Sequence, residues 1–595
     1  MKNILARLAL LLTLCLTVTS VMISCHSGDS KPNGTTDGGA TENGMVETEN
    51  SETESETLPQ DETPRLPTNN ETVLNLALDG DTPYTILYSR KSGSWCSDAA
   101  YDLADRLEEL VGDKNVTVMS DRYYATKETE SKLIFVGNST APEAENFANA
   151  VGYGEYGYYA AGERICILGW TSETLSAAMD DFCDLLADHV TEADGKKSIS
   201  LQIEAPVINA KKNFDVNVEK LADSTDAYTL ANNNILVLAN NGTAEAFHAY
   251  AAKLEQKGYT KTMENTIGSN LYRAYKNDTY AVYVYYTAAE NMIRMVGATL
   301  TNARQPVFGE ASADGTVSAK LAVINMDYDG QASKDNGMGL VFTLDDGSYL
   351  IYDSGYNAND AKTLYNYLKD NNKRTDGKIV IEGWFVTHGH EDHYGALEQF
   401  SSLYSTKVTV KTFYFNPVTW ASETDTMLTL GNTLKRKFDG CTLATPHTGM
   451  KLQIRNATVE VLYTHEDRMP NAINSLNDAS VVSRVTVGEK TVLITGDIQQ
   501  TFASDILVKN FGSYLKSDVF QVPHHGDSGG TKALYALVDP TAVIYTTAQN
   551  KFEERKLASW PPHNIPAPNY YLLNELHVKD VYVADGYVKE IDLTK

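Results

Sequence analysis

Residues Trp384 to Leu397 read WFVTHGHEDHYGAL. An apolar run ends at Val386, and directly after Thr387 come His388, His390, Asp392 and His393, the pattern His-x-His-x-Asp-His, with Glu391 among them. With 12 histidines in 595 residues, such a gathering is improbable by chance, so a merely polar loop is the weaker reading. Imidazole nitrogen and carboxylate oxygen suit a zinc-like ion in a hydrolytic site, where one coordination position stays open for water. Alternate residues of an extended loop point the same way. His388 and His390 are therefore expected to converge on one ion. Asp392 and His393, where the chain turns into a helix, are expected to face a second.

Upstream, GLVFTLDDGSYLIYDSG reads as a hairpin turning at Asp346-Gly347, its second strand ending at Asp353. AKTLYNYLKD then reads as a helix and KIVIEGWFVT as the strand that delivers the histidines. A strand ending in Asp, a helix, and a strand leading into His-x-His-x-Asp-His resemble the metallo-β-lactamase superfamily. The resemblance implies an α/β chain whose C-terminal domain, 318–595, is an αββα four-layer sandwich with metals at one sheet edge. It also implies a Gly-Asp after an apolar strand, met by Gly496-Asp497 in KTVLITGDI, with the carboxylate shared between two ions. A histidine after the next strand is met by VPHHG, where His524 is preferred as ligand for its nearness to the strand and His525 as acid or support, the reverse remaining open. One more histidine before Asp497 is expected to be His465, which follows a strand, with His447 as the alternative.

NDASVVSRV, VLITGDI, VPHHG and WPPHN resemble most closely the extracellular hydrolase domain of competence DNA-uptake channel proteins and related phosphodiesterases, including phosphorylcholine esterases. Asn477 and His563 match polar positions of that pattern. Two departures stand out: NMDYDGQASKDNGMG replaces the glycine-rich opening, and His390 stands where Asp is common. The resemblance implies two Zn²⁺ ions, one held by His388, His390 and His465, the other by Asp392, His393 and His524, with Asp497 on both. Asp392, His525 and His563 would be catalytic, the two histidines as proton donors, while Asp353 and Asn477 would orient the ligands from behind. The expected activity is metal-dependent hydrolysis of a phosphodiester by a metal-bridging hydroxide. A lactonase, β-lactamase or thioesterase of the same fold is the alternative, and a nonenzymatic glycan-binding lipoprotein with a structural metal site is another.

Two smaller domains are expected ahead of this one. Residues 73–206 alternate strands (YTILYS, KLIFVGNS, RICILGW) with amphipathic helices and read as an α/β domain. Their order resembles the noncatalytic N-terminal domain of some glycoside hydrolases. Residues 213–305 read as an α+β domain, and the alternating tyrosines of YAVYVYY are read as ordinary sheet residues ahead of a binding face.

The chain opens with Lys2 and Arg7 before an apolar run that is too short for a typical membrane span and reads as a signal peptide, residues 1–25. VMISC resembles the bacterial lipoprotein box, which makes Cys25 the lipidated residue. Residues 26–72 contain the acidic tract VETENSETESETLPQDET, and from His26 to Asn70 there is no Phe, Tyr or Trp; this composition predicts a disordered tether. The expected location is the bacterial envelope, outside the cytoplasm and lipid-anchored to a membrane, acting on a small-molecule or cell-envelope substrate. A net charge of −28 argues against broad nucleic-acid binding. Beyond Cys15 and Cys25 in the leader, Cys96, Cys166, Cys183 and Cys441 form no Cys-x-x-Cys, which disfavours a thiolate zinc site and leaves one disulfide among the first three open.

Overall fold

A computed structural model describes residues 66–69, 71–90, 95–112, 116–210, 216–231, 234–301, 308, 315–326, 337–419, 423–471, 475–500, 502–527, 529–556, 559–560, 565–566 and 568–594. The signal peptide, Cys25, nearly all of the acidic tether and His563 lie outside them.

In the first domain the run TILY forms the strand Thr85–Tyr88, flanked in parallel by Thr117–Ser120 and Leu133–Val136, with Arg164–Gly169 next in the sheet. Glu155–Ala161 and Val207–Ala210 complete it as antiparallel strands. The helix Trp95–Val111 buries Leu103, Leu107 and Val111, the stripe that a period of 3.6 residues brings together. Thr171 opens the helix Ser172–Asp188 by accepting the Thr174 amide while the Thr174 hydroxyl accepts the Thr171 amide, a reciprocal cap. Cys96, Cys166, Cys183 and Cys441 are buried free thiols, so the disulfide left open by the sequence is not formed.

The second domain is a six-stranded antiparallel sheet, in the order Asp226–Thr229, Ile235–Asn240, Met292–Thr299, Tyr280–Thr287, Asn270–Lys276 and Thr260–Ile267, with the helix Ala244–Gln256 on one face. Successive side chains of a strand face opposite ways. Val282 and Val284 thus join the core shared with that helix and the first domain, while Tyr283 and Tyr285 join the core of the third domain.

The third domain holds two sheets. One runs in the order Thr442–Ala444, Thr412–Tyr414, Ile379–Phe385, Tyr349–Tyr352, Leu340–Thr343, Lys320–Val323 and Lys589–Asp592. The other runs Lys451–Ile454, Ala457–Tyr463, Val482–Val487, Lys490–Ile494, Val519–Gln521, Ala542–Tyr545 and Asp580–Val583. Leu340, Phe342, Leu350, Val485, Ile494 and Ile544 pack between them. Helices Ala358–Asp370, Glu391–Tyr404 and Glu423–Lys437 cover the first sheet, while Ala503–Phe511 and Lys532–Val538 cover the second. This is the expected αββα arrangement.

The outer layer of the second sheet is shared. Tyr272, Tyr283, Tyr285 and Val296 of the second domain pack in one core with Met450, Val461, Tyr463 and Leu507. Gly449 has a φ of +86°, and a Cβ there would stand 1.7 Å from the Tyr272 ring, so only glycine admits this approach. Polar ties reinforce the contact: Tyr283 Oη donates to the Thr448 carbonyl at 2.7 Å, and Tyr285 Oη to Asp467 at 3.1 Å. Arg294, 1% exposed, pairs with Glu290 at 2.9 Å and donates to the Asp467 carbonyl at 3.0 Å. Residues 318–595 therefore share part of their core with the second domain.

Candidate active site

The site lies where the two sheets meet at one edge. The strand Ile379–Phe385 runs out into Val386 and Thr387, whose carbonyl accepts the Val481 amide of the second sheet at 2.9 Å. His388 and His390 occupy the following loop, and Asp392 and His393 the first turn of the helix Glu391–Tyr404. Across from them the strand Lys490–Ile494 delivers Asp497 through Gly496. At a φ of +54°, a Cβ on Gly496 would press within 2.8 Å of Ser480 and 3.0 Å of Thr387, so a side chain there would force the loops apart.

Donor atoms converge in two groups, Asp392, His393, Asp497 and His525 in one and His388, His390 and Asp497 in the other, each within 4.8 Å. Asp497 Oδ2 lies 3.2 Å from His393 Nε2, 3.2 Å from His525 Nε2 and 3.8 Å from His388 Nε2. Asp392 Oδ2 is 3.3 Å from His525 Nε2, and His388 Nε2 is 3.0 Å from His390 Nδ1.

Each inward nitrogen is aimed by what its ring does on the other side. His393 Nδ1 meets buried Asp353 Oδ2 at 2.7 Å, and Asp353 also accepts the Thr387 amide and hydroxyl at 2.7 and 2.8 Å. His525 Nδ1 donates to the Thr546 carbonyl at 2.8 Å, and His388 Nδ1 lies 3.2 Å from Thr387 Oγ1 and 3.3 Å from Ser480 Oγ. Such partners fix the tautomer and leave Nε2 free to ligate. The donor set fits a divalent cation: Asp497 Oδ1 and His525 Nε2 are buried without a hydrogen bond, and a carboxylate so placed calls for positive charge. The field points the same way. Burial works against a charged His525, yet Asp497 and Asp392 outweigh it and raise the imidazole to about 9. Burial likewise opposes charge on Asp497, but His525 and His393 hold its carboxyl well below the usual range.

Two expected ligands are not brought to the centre. His524 lies beside it, its Nε2 3.3 Å from Asn477 Nδ2, while His525 stands in the ligand group in its place. The cause is the backbone: His524 and His525 both adopt left-handed φ values, +51° and +55°, and the turn Pro523–Gly526 carries the second ring inward. His465 is buried in the turn His465–Arg468, alongside Glu466 and His447, and belongs to neither ligand group. That turn is capped by Thr464 and Asp467 and leans on Tyr285 and Arg294 of the second domain. His447, the alternative, pairs with Glu466 at 2.8 Å and stacks on Tyr283. The His388–His390 group consequently has no third histidine among the described residues.

Thr387, Ser480 and Thr546 are the residues that sequence reasoning passed over. Ser480 had a signal, since it lies in the NDAS segment, and Thr387 adjoins His388. Thr546 had none, being an ordinary threonine after a buried strand. Beside His388, the apolar side chains of Val386, Phe415, Val418, Met427, Leu476 and Ala479 line a small pocket of about 20 Å³.

Two β-sheets face to face, with imidazoles and carboxylates gathered at their shared edge, define the class of metal-dependent hydrolases with the αββα fold. Residues 337–548 match the sequence model of the metallo-beta-lactamase superfamily. A hydroxyacylglutathione hydrolase of Shewanella loihica is 32% identical over 79 residues, which cover 13% of this chain and only 26% of that protein. Among solved structures, the metallo-beta-lactamase fold protein YhfI from Bacillus subtilis is similar at 16% identity, over 46% of this chain and all of that one, with a TM-score of 0.30. CmlA, a diiron beta-hydroxylase from Streptomyces venezuelae, is similar at 12% identity over 46% of this chain and 54% of its own, with a TM-score of 0.28.

Proposed function

We propose that the protein is a metal-dependent phosphodiesterase held at a bacterial cell surface. The observation that carries the hydrolytic reading is Asp497, a buried carboxylate common to both ligand groups. His388, His390 and Asp497 would hold one divalent ion, and Asp392, His393, His525 and Asp497 another, with zinc favoured by the donor types. When bound, paired ions supply Lewis acidity and an activated water at neutral pH. The chain's own part is positional. Asp353 and Thr546 keep the rings of His393 and His525 aimed inward, and beside the centre the Asn477 amide donates to His524 Nε2. The phosphodiester choice rests on the NDAS and VPHHG segments, which resemble that branch of the superfamily.

The test is turnover of bis-p-nitrophenyl phosphate and a phosphorylcholine ester by zinc-loaded protein, beside nitrocefin, a simple lactone and a hydroxyacyl thioester of glutathione. Phosphodiester turnover above the others is expected. The thioester is included because the hydroxyacylglutathione hydrolase likeness favours it as a second reading; turnover of that substrate alone would replace the phosphodiester. Anchoring is tested separately. Among the described residues no helix is long and apolar enough to cross a membrane, and VMISC supports an acyl chain on Cys25 instead. Cys25→Ser is expected to move the protein from the membrane to the soluble fraction with its fold unchanged, and retention on the membrane would refute the anchor.

A further inference from the structure

The first two domains enclose a crevice of about 710 Å³ on residues that the hydrolytic site does not use. We propose that this crevice binds a neutral oligosaccharide.

Its position is the first argument. Asn138 follows the strand Leu133–Val136 and Trp170 follows Arg164–Gly169, so both stand at the carboxyl ends of parallel strands. In this sheet Thr85–Tyr88 has its chain successor Thr117–Ser120 on one side and Leu133–Val136 on the other. The strand order reverses between Thr85–Tyr88 and Leu133–Val136, and the crevice opens one strand further along, outside the carboxyl ends of Leu133–Val136 and Arg164–Gly169. The second domain closes the crevice from across, with Asn240 at the end of the strand Ile235–Asn240, Asn241 after it, and the helix Ala244–Gln256.

Chemistry supplies the second. The charged side chains lining the crevice are two cations and two anions, Lys220, Lys253, Glu145 and Asp223, and the cations are engaged. Lys220 donates to the Ala148 carbonyl in the last turn of the helix Pro142–Ala150, and Lys253 pairs with Glu219 at 3.2 Å. With both cations engaged, the lining has no ready positive charge with which to recruit a phosphate. The carboxamides of Asn149, Asn240 and Asn241 also line it, and they make no side-chain hydrogen bond to other described residues. A carboxamide offers two N–H donors and two acceptor lone pairs, matching sugar hydroxyls, which donate and accept together. Trp170 donates its Nε1–H to the Val151 carbonyl at 2.9 Å and Tyr250 its hydroxyl to the Glu219 carbonyl at 2.7 Å. Both rings are buried, and Lys220 Nζ stands 5.0 Å over the Trp170 ring, so they form the floor of the crevice and the carboxamides are its hydrogen-bonding groups. The volume lies within the roughly 300–1,000 Å³ of small-molecule sites and is ample for a short oligosaccharide.

The experiment is isothermal titration of the full chain with maltotetraose, cellotetraose and tetra-N-acetylchitotetraose, with tripolyphosphate as the charged comparison. Saturable binding of at least one tetrasaccharide is expected, weakened about tenfold or more in Asn149→Leu and in Asn241→Leu. Both positions are exposed, and unchanged melting temperature and metal content identify variants that fold normally. No binding of any tetrasaccharide at millimolar concentration overturns the proposal. So does binding indifferent to both substitutions, or binding of tripolyphosphate in preference.

Discussion

Asp497 and His525 concentrate the chemistry at the scale of single residues. Because Asp497 belongs to both ligand groups, Asp497→Ala is expected to lower metal content at both and to abolish nearly all hydrolysis, on the order of 10³-fold or more. Full metal occupancy in that variant, read by elemental analysis, would refute the shared carboxylate. The neighbouring histidines are expected to separate by the same measurement: His525→Ala should lose metal, whereas His524→Ala should keep it, since its Nε2 accepts from Asn477 and stands in neither ligand group. The cluster from His388 to His393 was legible in the sequence because its chemistry is local, six consecutive residues with ligand atoms at fixed spacing. The choice between His524 and His525 was not, because adjacent residues differ only by which way a left-handed backbone turns them. Nor could a sequence show that Thr546 holds His525, since the contact joins residues that follow two different strands, Val519–Gln521 and Ala542–Tyr545.

Individual elements reveal how the second domain enters the third. The strand Tyr280–Thr287 alternates faithfully, as YAVYVYY predicts, but the pattern alone does not say whether the tyrosine face meets solvent, ligand or another domain. Here Tyr283 and Tyr285 meet the second sheet of the hydrolase fold, and Arg294 from the next strand ties to Asp467. Arg294→Met would strip the buried guanidinium from Glu290 and Asp467, and is expected to cost about 3–5 kcal/mol in chemical denaturation, as breaking one side of a buried pair does. Asp467 adds a pH dependence. Burial raises its carboxyl to about 6, against the pull of Arg294 and the Thr448 hydroxyl, with Glu290 adding to the rise. A carboxyl raised in the folded state stabilises the fold most fully below its unfolded value near 4, and that contribution is lost as pH rises through about 6. Denaturant midpoints measured from pH 4 to pH 7 should therefore show a falling component that disappears in Asp467→Asn; an unchanged component would assign it elsewhere.

Across the whole molecule, the α/β and αββα architectures follow from patterns visible in the sequence, namely alternating strands, capped amphipathic helices and the metal-binding loop. The shared outer layer does not, because a core divided between domains leaves no local mark on either. Residues 318–595 expressed alone are expected to aggregate or to unfold well below the full chain, their Met450, Val461 and Tyr463 having lost Tyr272, Tyr283 and Tyr285; a fragment as stable as the full chain would show that the contact is superficial. A further consequence lies in the pairing of Lys320–Val323 with Lys589–Asp592. A ribosome must deliver residue 592 before that sheet can be completed, whereas most strands of the second domain pair with close neighbours in the chain and can settle early. The ligand groups draw on residues from 388 to 525, so a working centre requires both sheets of the third domain to have come together.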